Sequence, residues 1–245
     1  MATANPTHLS ELAARGLVTR AASGSAAAER TLPLLPAFAA LLPAPTVPRG
    51  SVIGCAGVAA VSLALALAAG PSQQGAWVAV VGMPTLGLAA AVEAGIVLER
   101  LVAVAEPGDD ARWAEVLAAC IDGFDVVLLG PSAQQVHPST ARRLTARLQS
   151  RGAVVISVGA PVFGADLRFE CTASTWEGLG DGHGVARGRR TTVELTGRRV
   201  PRARRAEYWL PAIDGRMSVV DDAVLAQRDM VPSGNGAVLP LRRTG

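Results

Sequence analysis

The chain has 245 residues, which is enough for one large domain or two small ones with a sizeable buried core. Half of the residues are hydrophobic but only 4% are aromatic, so the core is built mainly from alanine, valine and leucine. No lysine occurs, so chemistry that needs a lysine amine is excluded. The net charge of +3 is compatible with nucleic acid or acidic partners and demands neither.

In the first fifty residues the sequence predicts little regular structure apart from two helices. Residues 5–23 have the apolar spacing of an amphipathic helix, and small residues then form a linker. Five prolines within 31–48 break any long element, with room for a short helix around 37–42. The uncharged stretch at 52–69 is nearly long enough to span a membrane, but its glycines and β-branched start favour a buried strand, a turn and a buried helix.

From Gly50 the chain alternates between short apolar strands and helices. This rhythm predicts a parallel sheet covered on both faces. The predicted strands are 51–53, 77–81, 101–105, 125–129 and 154–158, and the predicted helices are 58–69, 86–94, 110–120 and 139–151.

After residue 158 the rhythm changes. Strands at 167–173, 185–195 and 206–210 follow one another without helices, around a glycine-rich bend at 178–188, and predict an antiparallel continuation of the sheet. The predicted organisation is an N-terminal helix and linker at 1–30, an α/β core at 31–211 and a C-terminal tail at 212–245. Within the tail, Ser218 is expected to cap a short helix.

The first strand, turn and helix of the core occupy the usual setting of a nucleotide phosphate loop, whose pattern is G-x-x-x-x-G-K-[ST]. The first glycine is present at Gly54, and Gly57 lies within the loop. The second glycine of the pattern is replaced by Ala59, the lysine by Ala60 and the hydroxyl residue by Val61. Since the lysine neutralises phosphates and the hydroxyl helps to hold magnesium, we expect no functional ATP site here.

Two further ATPase elements are missing. The strand at 125–129 ends in Gly130 where a magnesium-binding aspartate is expected, and Asp125 stands at its opposite end. After Val81 the chain continues Gly82-Met83-Pro84-Thr85, without the glutamate that activates water. The alternative is an unrelated α/β protein that never had a nucleotide site.

No other constellation predicts catalysis or metal binding. The three cysteines are scattered without metal-ligand spacing, as suits core residues in a reducing cytosol, and the histidines have no carboxylate or cysteine companions at useful spacing. We therefore predict no catalytic residue, no metal and no cofactor, and regard a residual nucleotide-dependent enzyme as a minor alternative. The residues concerned are Cys55, Cys120, Cys171, His8, His137 and His183.

The segments 50–53, 91–101 and 123–129 resemble strands and a helix of RecA-type cores. Between roughly residues 30 and 211 the chain is similar to the ImuA-prime proteins of actinobacteria. The segments that carry this similarity are 165–168, 176–184 and 205–211. The fold class implied is a RecA-like core with a mostly parallel sheet flanked by helices and extended by antiparallel C-terminal strands.

That resemblance implies an accessory role in DNA damage tolerance. It implies binding to ImuB, an inactive Y-family polymerase homologue, and indirect association with an error-prone replicative-type polymerase and the sliding clamp. It also implies a cytoplasmic protein acting at sites of DNA damage, without a membrane. The chain also resembles the division inhibitor SulA, which has a RecA-like fold without an ATP site. The alternative function is therefore inhibition of a polymerising cell-division protein.

Two segments are candidate interaction surfaces. The first is rich in arginine and suits contact with an acidic partner or with DNA phosphates; the alternative is a solvent-exposed basic rim of a hairpin. Its residues are Arg187, Arg189, Arg190, Arg198, Arg199, Arg202, Arg204 and Arg205. The second is the apolar part of the tail, which either docks in a partner's groove or packs on its own domain. Its residues are Val219, Val220, Val224, Leu225, Val238, Leu239 and Leu241.

Overall fold

The computed structural model describes residues 30–159, 163–180 and 183–220. Eleven strands lie in these ranges: β1 (Thr31–Pro33), β2 (Thr46–Pro48), β3 (Val52–Gly57), β4 (Val78–Val81), β5 (Leu101–Val104), β6 (Val126–Leu129), β7 (Val154–Val158), β8 (Leu167–Gly180), β9 (His183–Thr196), β10 (Arg204–Trp209) and β11 (Ser218–Val219). The α-helices there are α1 (Ala60–Gln73), α2 (Leu88–Glu93), α3 (Asp110–Gly123) and α4 (Pro138–Arg151).

Nine of these strands form one sheet in the order β11-β10-β9-β8-β3-β7-β6-β4-β5. The strands from β8 to β5 in that order pair in parallel. Strands β8 to β11 pair with one another in antiparallel fashion. This arrangement confirms the predicted fold class, a RecA-like α/β core extended by antiparallel C-terminal strands.

The central strands are apolar on both faces because helices cover both. Ile53 and Cys55 of β3 pack in the core on the α1 side, with Leu63 and Leu67 of that helix. Val52 belongs to a second core on the other side, which α3 and α4 complete. Alternate residues of one strand therefore serve two cores, which explains the unbroken apolar runs in the sequence.

The proline-rich segment builds a small cap on the α1 side of the sheet. Strands β1 and β2 pair with each other, and the short helix expected at 37–42 is a 3-10 helix at Pro36–Ala40. Its Phe38 is fully buried and meets the ring of Phe169 edge to face, with centroids 5.8 Å apart. The prolines thus interrupt long elements without removing the segment from the core.

The uncharged stretch at 52–69 consists of β3, a turn and most of α1. Among the described residues no helix has both the length and the apolar character needed to cross a bilayer. The amphipathic helix predicted at 5–23 lies outside the described residues.

Two local predictions are wrong. The glycine-rich region at 178–188 is mainly ladder rather than a bend, because β8 continues to Gly180 and β9 starts at His183. Gly178 has a φ of +82° beside a register shift between Glu177 and Leu179, so a bulge within the strand uses its conformational freedom.

Ser218 does not cap a helix. It opens β11, where Ser218 and Val219 pair with Trp209 and Tyr208 of β10. Met217, the residue before this strand, is buried in the α1-side core. The chain therefore remains packed against the sheet as far as Val220, whose amide donates to the Glu207 carbonyl at 3.0 Å.

Candidate functional site

The junction between β3 and α1 leaves no open loop. The ladder continues to Gly57, which pairs with Cys171 of β8, and a turn of two residues, Val58 and Ala59, leads into the helix. Gly57 has a φ of +86°, and a Cβ there would lie 2.2 Å from the carbonyl oxygen of Cys171. The backbone that would cradle phosphates in a nucleotide site is thus tied to β8.

The four positions of the phosphate-loop pattern carry no polar side chain at this junction. Gly54 lies within β3, paired with Ser157 and Arg168, and is buried. Ala59 and Ala60 are buried in the α1-side core, and Val61 is 42% exposed. The first turn of α1 therefore offers backbone amides and methyl groups at the place where the pattern supplies an ammonium and a hydroxyl.

A wide depression of about 590 Å³ lies over this turn. It is lined by residues 56–62 together with Val158, Gly159 and Arg168. Val58, which is 77% exposed, and Val61 place aliphatic groups on its surface. The lining of this depression therefore combines aliphatic groups with the guanidinium of the exposed Arg168, but the lysine of the phosphate-loop pattern is absent from it.

The position of the expected metal aspartate is closed by backbone. The amide of Gly130 donates to the Val81 carbonyl at 2.9 Å, so the chains leaving β6 and β4 lie in contact. A Cβ at Gly130 would lie 1.9 Å from the carbonyl oxygen of Gly82. No side chain fits there without moving the backbone, so the missing carboxylate is a matter of packing as well as of residue identity.

Asp125 has a structural task at the amino end of the sheet. Its Oδ1 accepts a hydrogen bond from Arg49 at 2.8 Å, and its Oδ2 accepts one from the backbone amide of Trp77 at 3.1 Å. These bonds tie the segments that precede β3, β4 and β6 to one another. The carboxylate lies at the end of β6 opposite to Gly130.

Arg189 joins the long β8–β9 hairpin to α1. Its Nη2 donates to Ser62 Oγ at 2.8 Å, and its Nε donates to the Leu210 carbonyl at 2.7 Å. The guanidinium lies 5.2 Å from the ring centroid of Trp176, and burial lowers its pKa. Ser62, one position late for a phosphate loop, thus anchors an arginine. Sequence reasoning placed Arg189 on the surface and missed this role.

The three cysteines are free and buried, as predicted for core residues. Burial raises the pKa of all three thiols, to about 12 for Cys120 and about 11 for Cys171. Buried thiols of this kind are poor nucleophiles. The described ranges contain no group of three or more histidine, cysteine, aspartate or glutamate side chains that would hold a metal ion.

The eight arginines of the predicted basic surface lie in several different places. Arg190 donates to Glu207 at 2.8 Å and Arg205 to Glu194 at 3.1 Å, both across the exposed face of β9 and β10. Arg204 donates to the Leu41 carbonyl at 3.1 Å. Together with Arg189, these four arginines already have partners within the domain.

The other four arginines are exposed and lie at two ends of the sheet. Arg187 lies near the start of β9, whereas Arg198, Arg199 and Arg202 lie in the turn between β9 and β10. Arg198 follows Arg187 by eleven positions along an almost fully extended chain, which corresponds to a distance of about 35 Å. The described part of the chain gives the three arginines of the turn no carboxylate partner. Positive charge is therefore concentrated at this turn.

The predicted tail residues are described only in part. Val219 is 43% exposed at the edge of the sheet, and Val220 is half-buried. Val224, Leu225, Val238, Leu239 and Leu241 lie outside the described residues.

The hairpin formed by β8 and β9 exposes apolar side chains that sequence reasoning did not select. Trp176 is 42% exposed, Leu179 57% and Val185 74%. The bulge beside Gly178 hid them, because it breaks the alternation from which the inward and outward faces are read.

A curated protein and a solved structure are among those to which this chain is similar. The "Uncharacterized protein Rv3395c" of Mycobacterium tuberculosis is 35% identical over 116 residues, which are 47% of this chain. The match covers 56% of the length of that protein, so this chain spans little more than half of it. A crystal structure of the RadB recombinase covers 71% of this chain and 92% of its own, at 14% identity and a TM-score of 0.49. That degree of similarity implies no activity.

The fold and the site together define a RecA-like α/β domain in which aliphatic side chains and closely packed backbone occupy the usual nucleotide position. The family described as the MT3502 N-terminal domain matches residues 40–164, which are just over half of the chain. The chain belongs to this family.

Proposed function

We propose that this protein is a non-catalytic adaptor of a translesion DNA synthesis complex, a member of the ImuA-prime group that binds the ImuB polymerase homologue. The observation that carries the proposal is the aliphatic junction of β3 and α1, where Ala60 and Val61 replace the lysine and the hydroxyl residue. A RecA-like core that lacks the lysine and the hydroxyl of the phosphate-loop pattern is suited to assembly rather than to ATP turnover.

The closed contact at Gly130 supports the same conclusion independently. ATP hydrolysis needs a cation on the β- and γ-phosphates and ligands for magnesium. The backbone of Gly82 occupies the space that a metal-binding side chain at position 130 would need. Restoring the lysine alone would therefore leave the metal unsupported. Under the proposal, the core holds partner surfaces in position and catalyses no step.

The partner surface that we propose is the apolar segment that begins in β11 and continues along the tail. Val219 and Val220 stand at its start, at the sheet edge, and Val219 is half-exposed. Apolar segments that follow a folded domain can dock in a groove of a partner. Through ImuB the protein would associate with an error-prone replicative-type polymerase and the sliding clamp, in the cytoplasm at sites of DNA damage.

Co-purification of ImuB with two full-length variants tests the proposed tail. The double variant V224D/L225D places charge in the apolar cluster of the tail, and we expect it to retain at least tenfold less ImuB than the wild type. The control V185D places a carboxylate on an exposed valine of the β8–β9 hairpin, and we expect it to retain ImuB normally. Undiminished binding of ImuB by V224D/L225D would show that the tail is not the surface that binds ImuB.

A chain ending at Val220 complements these variants. It retains β11 and the buried Met217, so the sheet stays complete. A chain ending near Pro211 would remove both and confuse unfolding with loss of the partner site.

The SulA-like alternative gives a different phenotype. Overproduction of an inhibitor of a polymerising division protein yields filamentous cells, whereas loss of an adaptor lowers damage-induced mutagenesis. Filamentation combined with intact damage tolerance would favour the alternative.

A further inference from the structure

A small apolar pocket lies at the amino end of the sheet, far from the β3–α1 junction. It has a volume of about 180 Å³ and lies between the segment that follows the 3-10 helix and the turn from β9 to β10. Pockets for small molecules measure about 300–1,000 Å³, so this one has room for one or two apolar side chains rather than for a cofactor. Its apolar lining includes Leu42, Pro43, Leu167, Leu195, Val200 and Pro201.

Two arginines line this pocket, Arg199 in the turn between β9 and β10 and Arg204 at the start of β10. The exposed Arg198 and Arg202 lie in the same turn as Arg199. Arg204 is held by the Leu41 carbonyl, which fixes the turn against the pocket wall. The charge of the rim is therefore available to a ligand from outside the described core.

The pocket's own carboxylate does not neutralise this rim. Among the described lining residues the carboxylate is Asp166, whose Oδ2 accepts a hydrogen bond from the Val52 amide at 3.0 Å. This bond joins Asp166 to the start of β3. It ties the carboxylate to the backbone, while the described residues provide no ion pair for Arg198, Arg199 or Arg202.

We propose that this pocket binds a peptide segment of a partner protein in which an apolar side chain is flanked by carboxylates. The apolar side chain fills the pocket, and the carboxylates pair with Arg198, Arg199 and Arg202. Guanidinium groups suit carboxylates because they donate two parallel hydrogen bonds. This surface is separate from the tail, so its failure and the failure of the proposed function are distinguishable.

The pocket walls favour a peptide over nucleic acid. A phosphodiester backbone would satisfy the arginines but would leave the cavity between Leu42, Leu195 and Val200 unfilled. Single-stranded nucleic acid needs aromatic rings for base stacking, and among the described residues none lines this pocket.

Fluorescence anisotropy of the full-length protein tests the proposal. The probe is a fluorescein-labelled synthetic peptide with paired leucines between runs of aspartate. We expect saturable binding that weakens with salt, and at least tenfold weaker binding by R198Q/R199Q/R202Q. The matched control R142Q/R143Q/R187Q removes the same charge from exposed positions elsewhere and is expected to bind within about twofold of the wild type. Equal weakening by both triple variants would overturn the proposal.

Two further measurements separate the pocket from the charge. V200W fills the pocket and leaves every arginine in place, so it should abolish binding. A probe with serines in place of the leucines tests the pocket without changing the protein, and it should not bind. The assignment would be contradicted if the serine probe bound with the same affinity as the leucine probe. It would also be contradicted if a single-stranded oligonucleotide bound through the arginines with the same affinity to V200W and to the wild type.

The chain's own Asp221, Asp222, Val224 and Leu225 have the same chemistry as the probe. The full-length variant D221N/D222N therefore completes the test. We expect it to bind the probe as the wild type does. Binding that is seen with this variant alone would show that the tail occupies the pocket, and would overturn the assignment to a partner.

Discussion

Single glycine residues at the carboxyl edge of the sheet determine which side chains fit at the position of the expected nucleotide and metal site. Gly130 combines a φ of −76°, which any residue adopts, with a backbone neighbour that leaves no space for a Cβ. The constraint at this position is therefore steric contact with Gly82 rather than backbone conformation. At Gly57 the contact with Cys171 is combined with a positive φ.

The substitution Gly130→Ala tests this packing. The added Cβ would lie 1.9 Å from the Gly82 carbonyl oxygen, so we expect a loss of about 3 kcal/mol or more in the free energy of unfolding. Gly108→Ala is the matched control, because a Cβ at Gly108 meets nothing within 4 Å, and its effect should stay within about 0.5 kcal/mol. Urea unfolding of both variants provides the comparison, and similar stabilities would show that the edge is open.

Arg189 gives a second prediction at this scale. Arg189→Gln removes the guanidinium bonds to Ser62 and Leu210 and the contact with Trp176, so we expect a loss of about 2 kcal/mol in unfolding free energy. Arg187→Gln, two residues earlier on β9 and exposed, should change stability by less than about 0.5 kcal/mol. If the two variants lose the same stability, Arg189 does not join the hairpin to α1.

At the scale of elements, the sequence predicted the parallel core well and the C-terminal hairpin poorly. The strand at 154–158 agrees with the structure at both ends because an apolar run buried on both faces has sharp limits. The hairpin strands are longer than predicted because glycines within them were interpreted as a bend. The inward position of Arg189 could have been found from its alternation with Thr191, Val193 and Leu195, all of which are buried.

Because the thiols of Cys171 in β8 and Cys120 in α3 are buried, we expect the stability of the fold to depend on pH. The folded-state pKa of Cys171 is raised to about 11 and that of Cys120 to about 12, so the neutral thiols stabilise the fold below the unfolded pKa. Stability should then fall as pH rises above about 9, because the unfolded chain ionises first, by up to ~1.4 kcal/mol per pH unit for each thiol. No lysine titrates in this range, but burial also raises the pKa of the Cys55 thiol and of the Tyr208 hydroxyl, so both contribute to the slope of the wild type.

The variant Cys120→Ser checks this dependence because its hydroxyl does not ionise there. Urea unfolding between about pH 9 and pH 11 should show a slope that is shallower than that of the wild type by about 1 kcal/mol per pH unit. An unchanged slope would mean that the Cys120 thiol ionises in the folded protein.

At the scale of the whole molecule, the two ends of the large sheet present surfaces of different shape and composition. The carboxyl end carries a depression lined by Val58, Val61 and Arg168 beside an apolar hairpin, and the amino end carries a small pocket lined in part by Arg199 and Arg204. The first could be anticipated from the sequence, since Ala59, Ala60 and Val61 replace the phosphate-loop residues. The second could not, since it brings together side chains from Leu41 to Arg204, which only the folded sheet places side by side.

We propose that this RecA-like domain assembles partners without using a nucleotide. Calorimetric titration of the full-length protein with ATP and magnesium tests this claim most directly. We predict no saturable heat and no stabilisation against thermal unfolding, because Ala60 and Val61 provide neither the ammonium nor the hydroxyl of a phosphate loop and Gly130 leaves no room for a metal ligand. Tight, magnesium-dependent binding of one ATP per chain would contradict the account.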